Sequence, residues 1–255
     1  MNVLTKLPSG LSRLKKLPQK LYFEGNLALL ERPMVSIVGS RKASAYTRQC
    51  VEALARTLAN SGICVVSGAA IGVDIAAHRG AYPYTVAVFG NGLNKIYPPS
   101  NAKIIKEIYQ NALALSEYAP DESPLAYRFL ERNRIVVALS QALVVAQADV
   151  KSGSMQSARM AKELGVPIFT LPQRLGESDG TNELIASGTA NLINDFDAFA
   201  LRFGGKPASA QEDEVIKFCK NGASLDVALL KFGDKIYEYE LEGKLRISGL
   251  TVFAE

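Results

Sequence analysis

The chain has 255 residues, enough for one large hydrophobic core or for a core with a small second domain. Hydrophobic residues make up 48% and charged residues 21%, a balance that excludes a disordered chain. Three cysteines without metal-ligand spacing and a single histidine, His78, exclude a disulfide scaffold, a His-rich metal site and a two-histidine mechanism.

The net charge of +4 is unevenly spread. Residues 1–32 carry six basic and two acidic side chains, residues 33–205 sixteen and fourteen, and residues 206–255 seven and nine. The basic excess therefore lies before residue 206. No apolar run approaches a membrane span or a signal-peptide core, so a cytoplasmic location without membrane insertion is expected.

In chain order, residues 1–32 form a short basic extension punctuated by Pro8, Gly10, Pro18 and Gly25. Leu4, Leu7, Leu11, Leu14, Leu17 and Leu21 read as anchors of short turns facing a core. A regular pattern then begins. Strands are predicted at Met34–Gly39, Cys64–Gly68, Thr85–Gly90, Leu113–Glu117, Leu143–Gln147 and Pro167–Pro172, with an edge strand at Ala190–Ile193. Helices are predicted over residues 44–60, from about Val73, from about Asn101, and over 129–140, 154–164 and 181–187. Alternating strands and helices, with strands apolar on both faces, predict an α/β fold with a parallel sheet covered on both sides. Residues 206–210 read as a linker. Residues 211–255 carry three short helical patterns and a terminal hairpin around Ser248-Gly249, a winged-helix-like pattern. The acidic balance of this segment leaves both DNA binding and a protein-interaction role open.

Ligands of such sheets bind beyond the carboxyl ends of the strands. Small and polar residues cluster there. Gly39-Ser40-Arg41-Lys42 allows a tight turn whose amides, with Ser40 and Arg41, suit a phosphate, although a plain strand–helix turn would look the same. Neither a GxGxxG nor a Walker A pattern is present, and no cofactor is expected. Gly68 opens a second small-residue turn that runs to Gly72 and Asp74. Asp74 and His78, four residues apart, share a helical face as a catalytic pair or as a capping acid and a packed histidine. Arg128, Phe129, Arg132, Asn133 and Arg134 interleave arginines with an aromatic ring. Arg128 and Arg132 lie one helical turn apart, either a face for single-stranded nucleic acid or a solvated face paired with Glu131. Lys151, Ser152, Gly153 and Ser154 form another turn that holds a phosphate or simply caps a helix.

These pieces, in this order, resemble the DNA-processing protein A (DprA/Smf) family. The resemblance runs over about residues 20–200 and includes Gly39-Ser40-Arg41, Ser67-Gly68 through Asp74, Tyr97-Pro98, Ser116-Glu117, Arg132-Asn133-Arg134, Ser152-Gly153-Ser154 and Gly180-Thr181-Asn182-Glu183-Leu184-Ile185. It implies an extended Rossmann-like domain at 33–205 that binds single-stranded DNA, and duplex DNA more weakly. It also implies homodimerisation, protection of incoming DNA and RecA loading in natural transformation. Gly39–Lys42, Gly68, Arg128–Arg134 and Lys151–Ser154 become the DNA-contacting residues, with no catalytic residues. Gln147-Ala148 departs from the pattern, in which an acid commonly precedes the alanine; the amide keeps hydrogen bonding and removes a charge. The rival readings are an enzyme acting on a nucleotide or ribosyl phosphate, and an adaptor acting through the C-terminal segment.

Overall fold

In the computed structural model, which describes residues 2–204 and 214–254, the chain opens with two strands that its sequence pattern does not announce: β1 (Asn2–Val3) and β2 (Tyr22–Gly25). The linker expected at 206–210 lies outside the described residues. After β2, strands β3 (Met34–Val38), β4 (Cys64–Ser67), β5 (Thr85–Phe89), β6 (Leu113–Ser116), β7 (Ala142–Val145), β8 (Ile168–Thr170) and β9 (Ala190–Leu192) follow in turn. Helices α1 (Ala45–Asn60), α2 (Val73–Ala81), α3 (Ala102–Asn111), α4 (Ala126–Ala138), α5 (Gly153–Glu163) and α6 (Asp179–Ala186) alternate with them. A further helix, α7 (Phe196–Leu201), closes the first unit.

The nine strands form one sheet in the order β1-β2-β6-β5-β4-β3-β7-β8-β9. Strands β3 to β9 are mutually parallel. The fold is thus an extended Rossmann-like sheet with helices on both faces. Successive residues of β3 point to opposite faces, yet all five are buried. Val35 and Ile37 face the core under α1 and α7, whereas Met34 and Val38 face the core under α3, α4 and α5. This two-sided burial is why the strands show no polar alternation. Most strands are one residue shorter than predicted; β7 begins one residue earlier, at Ala142, and β8 is three residues shorter. Pro167 and Pro172 flank β8 without joining it, since proline offers no amide to a ladder.

The segment 1–32, read as short turns, also adds to the sheet. Strand β2 runs antiparallel to β6, with Tyr22 opposite Ser116 and Gly25 opposite Leu113. Leu11, Leu14 and Leu21 are buried as expected, whereas Leu17 is 49% exposed and anchors nothing. Helix α7 also has no counterpart among the predicted elements; its Phe199, and Phe203 just beyond it, pack edge-on against Phe169.

The second compact unit contains α8 (Glu214–Cys219), β10 (Ala223–Ser224), α9 (Leu225–Phe232), α10 (Lys235–Leu241), β11 (Leu245–Ser248) and β12 (Thr251–Ala254). Its antiparallel sheet has the order β10-β12-β11, and it has its own core around Val215, Ala228, Ile236 and Val252. The hairpin turn falls on Gly249-Leu250, one residue later than predicted, with Gly249 at φ +63°.

Candidate nucleic-acid interface

The chain builds the sheet outward from β3 to β6, returns through α4, and builds outward again from β7 to β9. The order therefore reverses between β3 and β7, and a crevice must open beyond their carboxyl ends. Two loops form its walls, Gly39–Lys42 after β3 and the stretch from Gln147 to Ser152 after β7. Gln147 ties them together. Its carbonyl oxygen accepts the Ser40 N–H (2.8 Å), its Oε1 accepts the Ser44 N–H (2.9 Å), and its Nε2 donates to the Glu177 carbonyl (3.3 Å). A carboxylate here would keep the two acceptor roles and lose the donor one. Gly72 adopts φ +84° against the first loop, where a Cβ would lie 2.3 Å from the Ser40 oxygen.

The crevice holds a pocket of about 310 Å³. Gly39, Ser40 and Arg41 line one side, Phe129, Arg132 and Asn133 a second, and Ser152, Gly153 and Ser154 a third. At the α5 terminus, Ser152 Oγ accepts the Met155 N–H (3.3 Å), leaving the first amides of the helix, at Gly153 and Ser154, as orphan donors. Ser40 is less free than its sequence position implies: its amide is used by Gln147, and its Oγ accepts the Lys42 N–H (3.0 Å). The donors that the first loop offers are then centred on Arg41, whose exposed side chain borders the pocket.

Arg132 forms the floor and is only 3% exposed. Its Nη1 donates to the Val88 carbonyl, its Nε is buried without a partner, and its Nη2 makes no hydrogen bond among the described residues. Burial lowers its pKa to about 10, still far above neutrality, so the guanidinium stays charged. Asp74, also buried, accepts the Gly68 N–H at Oδ2 (3.1 Å). Burial raises the Asp74 pKa, an effect opposed by the Arg132 charge. The floor thus favours cation over anion. Asp149 on the rim is the other acid lining the pocket, and it is solvent-exposed.

Gly68 lines a smaller adjoining pocket of about 70 Å³ together with Arg41, Ile71, Gly90, Tyr97 and Phe129. Tyr97 and Phe129 stack with ring centroids 5.5 Å apart and planes 29° apart, and the Arg41 guanidinium carbon sits 5.9 Å from the Phe129 ring centre. Gly90 allows this, since a Cβ there would come within 2.8 Å of the Phe129 ring. Nothing local in the sequence sets Tyr97 apart as a stacking residue; only the packing of its loop against α4 does so.

The arginine face divides. Arg132 points inward, while Arg128 forms an ion pair with Glu122, donates to the Ser123 carbonyl (3.0 Å) and lies over the Tyr118 ring. Arg134 pairs with Glu117. The expected shared basic face of Arg128 and Arg132 is therefore absent, because one turn of α4 carries the chain from the sheet-covered side to the loop 117–125 that supplies acids. Neither Arg128, Arg134, Lys42 nor Lys151 lines the pockets. His78 is fully buried. Its Nε2 accepts the Ala69 N–H (3.2 Å), and its Nδ1 lies 2.7 Å from Thr85 Oγ1, which donates to the Val65 carbonyl (2.8 Å). Thr85 has spent its proton on Val65, so Nδ1 carries the histidine proton and the ring is neutral. Asp74 and His78 thus hold backbone amides of one turn and do not form a proton-relay pair. Among the described residues no group of three or more His, Cys, Asp or Glu is placed to hold a metal ion, and no helix is long and apolar enough to cross a membrane.

Gly68 is the spacer between these charges. A Cβ added to it would fall 1.9 Å from Arg132 Nη1. Gly68→Ala is expected to push the guanidinium off the Val88 carbonyl and destabilise the fold by about 1–3 kcal/mol. Urea unfolding midpoints at constant m-value would show it, and unchanged midpoints would contradict it.

The profile of the family described as DNA recombination-mediator protein A matches residues 4–204. The DNA processing protein DprA of Streptococcus pneumoniae is 38% identical over 198 residues, covering 76% of this chain and 70% of its own. Protein Smf of Escherichia coli is 39% identical over 177 residues, covering 67% of this chain and 47% of its own, so the match spans about half of that relative. Among solved structures, DNA processing protein A from Helicobacter pylori, described for a single-stranded DNA binding mode, aligns with a TM-score of 0.77 and 46% identity over 79% of this chain and 94% of that one. The S. pneumoniae structure aligns with a TM-score of 0.73 and 38% identity over 77% and 71%. The chain belongs to the DNA recombination-mediator protein A family, also called DprA/Smf.

Proposed function

We propose that the chain is a non-catalytic single-stranded DNA-binding protein that protects incoming DNA and mediates RecA loading in natural transformation, acting in the cytoplasm as a homodimer. One observation carries the DNA reading. A buried, charged arginine with unpaired N–H groups forms the floor of a pocket at the reversal point of the sheet, beside the stacked Tyr97 and Phe129 rings. A buried cation without a carboxylate in ion-pair contact is costly unless an anion visits it, and a phosphate matches a guanidinium fork. The adjoining rings suit unstacked bases, which a duplex does not offer. The H. pylori relative, named for its single-stranded DNA binding, supports the choice. RecA loading and dimerisation rest on family membership.

In this reading residues 33–205 bind DNA, with Arg41, Phe129, Arg132, Asn133 and the turn Ser152–Ser154 as contacts. Residues 211–255 form a winged-helix-like accessory module. Its described residues, 214–254, carry six basic and six acidic side chains, too balanced for an independent electrostatic hold on DNA. The rival enzyme reading loses its best pair, since Asp74 and His78 are committed to backbone amides.

The test is an anisotropy titration of single-stranded and duplex DNA of equal length across a range of salt. Single strands are expected to bind more tightly, with a linear fall of log affinity against log salt of about 0.7 per neutralised phosphate. Arg41→Ala is expected to weaken binding about 10-fold and to flatten that slope by about 0.7, without changing thermal stability. Equal affinity for duplex and single strand, or an unchanged slope in Arg41→Ala, overturns the assignment. A RecA filament assay with and without the protein tests loading.

A further inference from the structure

Residues 1–23 carry five basic side chains, Lys6, Arg13, Lys15, Lys16 and Lys20, and no acid. The fold pins this segment against α4. Leu11, Leu14 and Leu21 are buried, and Gly10 lies so close to α4 that a Cβ would meet the Ala138 oxygen at 2.5 Å. Arg13 Nη1 donates to the Ser140 carbonyl (2.9 Å), and Arg134 Nη1 donates to the Lys16 carbonyl (3.3 Å). Lys15, Lys16 and Lys20 nevertheless remain exposed, and none forms an ion pair among the described residues.

Their position follows from the strand register. Tyr22 opens β2 opposite Ser116, the last residue of β6, so the residues just before it sit at the carboxyl edge of the parallel strands, the edge that carries the pocket. Arg134, which holds Lys16, is five residues along α4 from Phe129, about 7.5 Å of helix axis. Of the acids along this side of α4, Glu117 is paired with Arg134, and Glu131 accepts a hydrogen bond from the Tyr118 hydroxyl (3.2 Å). Lys16 also acts on Glu117 through space. Leu17, 49% exposed among these lysines, offers an apolar contact next to the charges.

The geometry points to residues 15–20 as a second phosphate-contacting track, which continues the path of a single strand from the pocket along α4 and over the N-terminal segment. The inference rests on the single-strand reading above and extends it to a part of the chain outside the pocket. Lysines on a fixed backbone contact phosphates without reading bases, so the track lengthens the bound segment and adds no sequence preference.

The test compares fluorescein-labelled oligothymidylates of about 6 and about 20 nucleotides, one near the footprint of a single pocket and one well beyond it. The protein is the full chain, unmodified or carrying Lys15→Gln, Lys16→Gln and Lys20→Gln together; the buried leucines are untouched, and a thermal melt verifies the fold. For the long oligonucleotide the triple variant is expected to lose roughly 10- to 100-fold in affinity near 0.1 M salt and to flatten the salt slope by about 2. The short oligonucleotide is expected to bind both proteins alike. An unchanged long-oligonucleotide affinity and slope, or an equal loss at both lengths, overturns the track while leaving the pocket reading intact. Failure of the unmodified protein to bind either oligonucleotide overturns the pocket reading itself.

Discussion

Arg132→Met is expected to lower the affinity for single-stranded DNA by about 10- to 100-fold, the equivalent of losing a charge-assisted contact of roughly 1.5–3 kcal/mol. Methionine fills a similar unbranched volume without the cation, so little cavity is left. The fold should also lose stability at neutral pH, by about 1–3 kcal/mol, because the buried Asp74 loses the stronger of the two positive charges acting on it and keeps only that of Arg41. That second effect can be separated from the first. Asp74→Asn keeps an acceptor for the Gly68 amide and removes the stranded charge. The double variant Arg132→Met with Asp74→Asn is therefore expected to recover stability and not affinity. Denaturant unfolding and anisotropy on the four proteins of the cycle decide it. If affinity returns with stability, Arg132 only supports the fold and the anion site lies elsewhere.

The stability of the protein is expected to fall steeply on mild acidification, and a single side chain is responsible. Burial pushes the His78 pKa down to about 3, with the Arg132 charge adding to the effect, whereas an unfolded histidine titrates near 6.5. Between these values the unfolded state binds one more proton than the folded state, so stability rises with pH. The contribution is fully present above about pH 6.5 and is lost as pH falls toward 3, at about 1.4 kcal/mol per pH unit. Asp74 works in the opposite direction, because its raised pKa lets the folded state take up a proton as pH falls. No other histidine exists to blur the measurement. His78→Gln preserves an acceptor for the Ala69 amide and a donor for Thr85. Between pH 6.5 and 5 the stability of the unmodified protein should fall more steeply than that of His78→Gln, the difference approaching this slope toward pH 5 while Asp74 and Glu117 contribute alike to both proteins. Parallel stability curves would contradict the assignment, as would a His78 ring resonance that titrates in the folded protein near pH 6.5.

Much of the fold is legible because its signals are local. The apolar runs at Met34–Val38, Thr85–Phe89 and Leu113–Ser116 can be buried on both faces only in a covered sheet, and the intervening helical periods supply the cover. Strands β1 and β2 leave no such local signal. Tyr22–Gly25 is short and only half-buried, and its partner Leu113–Ser116 lies some ninety residues away, so its pairing leaves no mark on neighbouring residues. The site divides in the same way. Turns such as Gly39–Lys42 and Ser152–Ser154 announce themselves by composition, since small and capping residues have few other reasons to cluster at strand ends.

Side-chain direction is not a local property. The arginines of α4 look alike in the sequence, and only packing sends Arg132 under the pocket, Arg128 to Glu122 and Arg134 to Glu117. The pairing of Tyr97 with Phe129 and the neutral state of His78 are likewise set by contacts across the sheet edge and core. By itself, the sequence determined the alternating architecture, the family resemblance and the positions of the turns, because periodicity and turn chemistry act over a few residues. Tertiary structure alone decided which charges are spent inside the protein and which are left for a ligand, because ion pairing and burial depend on neighbours that the chain brings together from far apart.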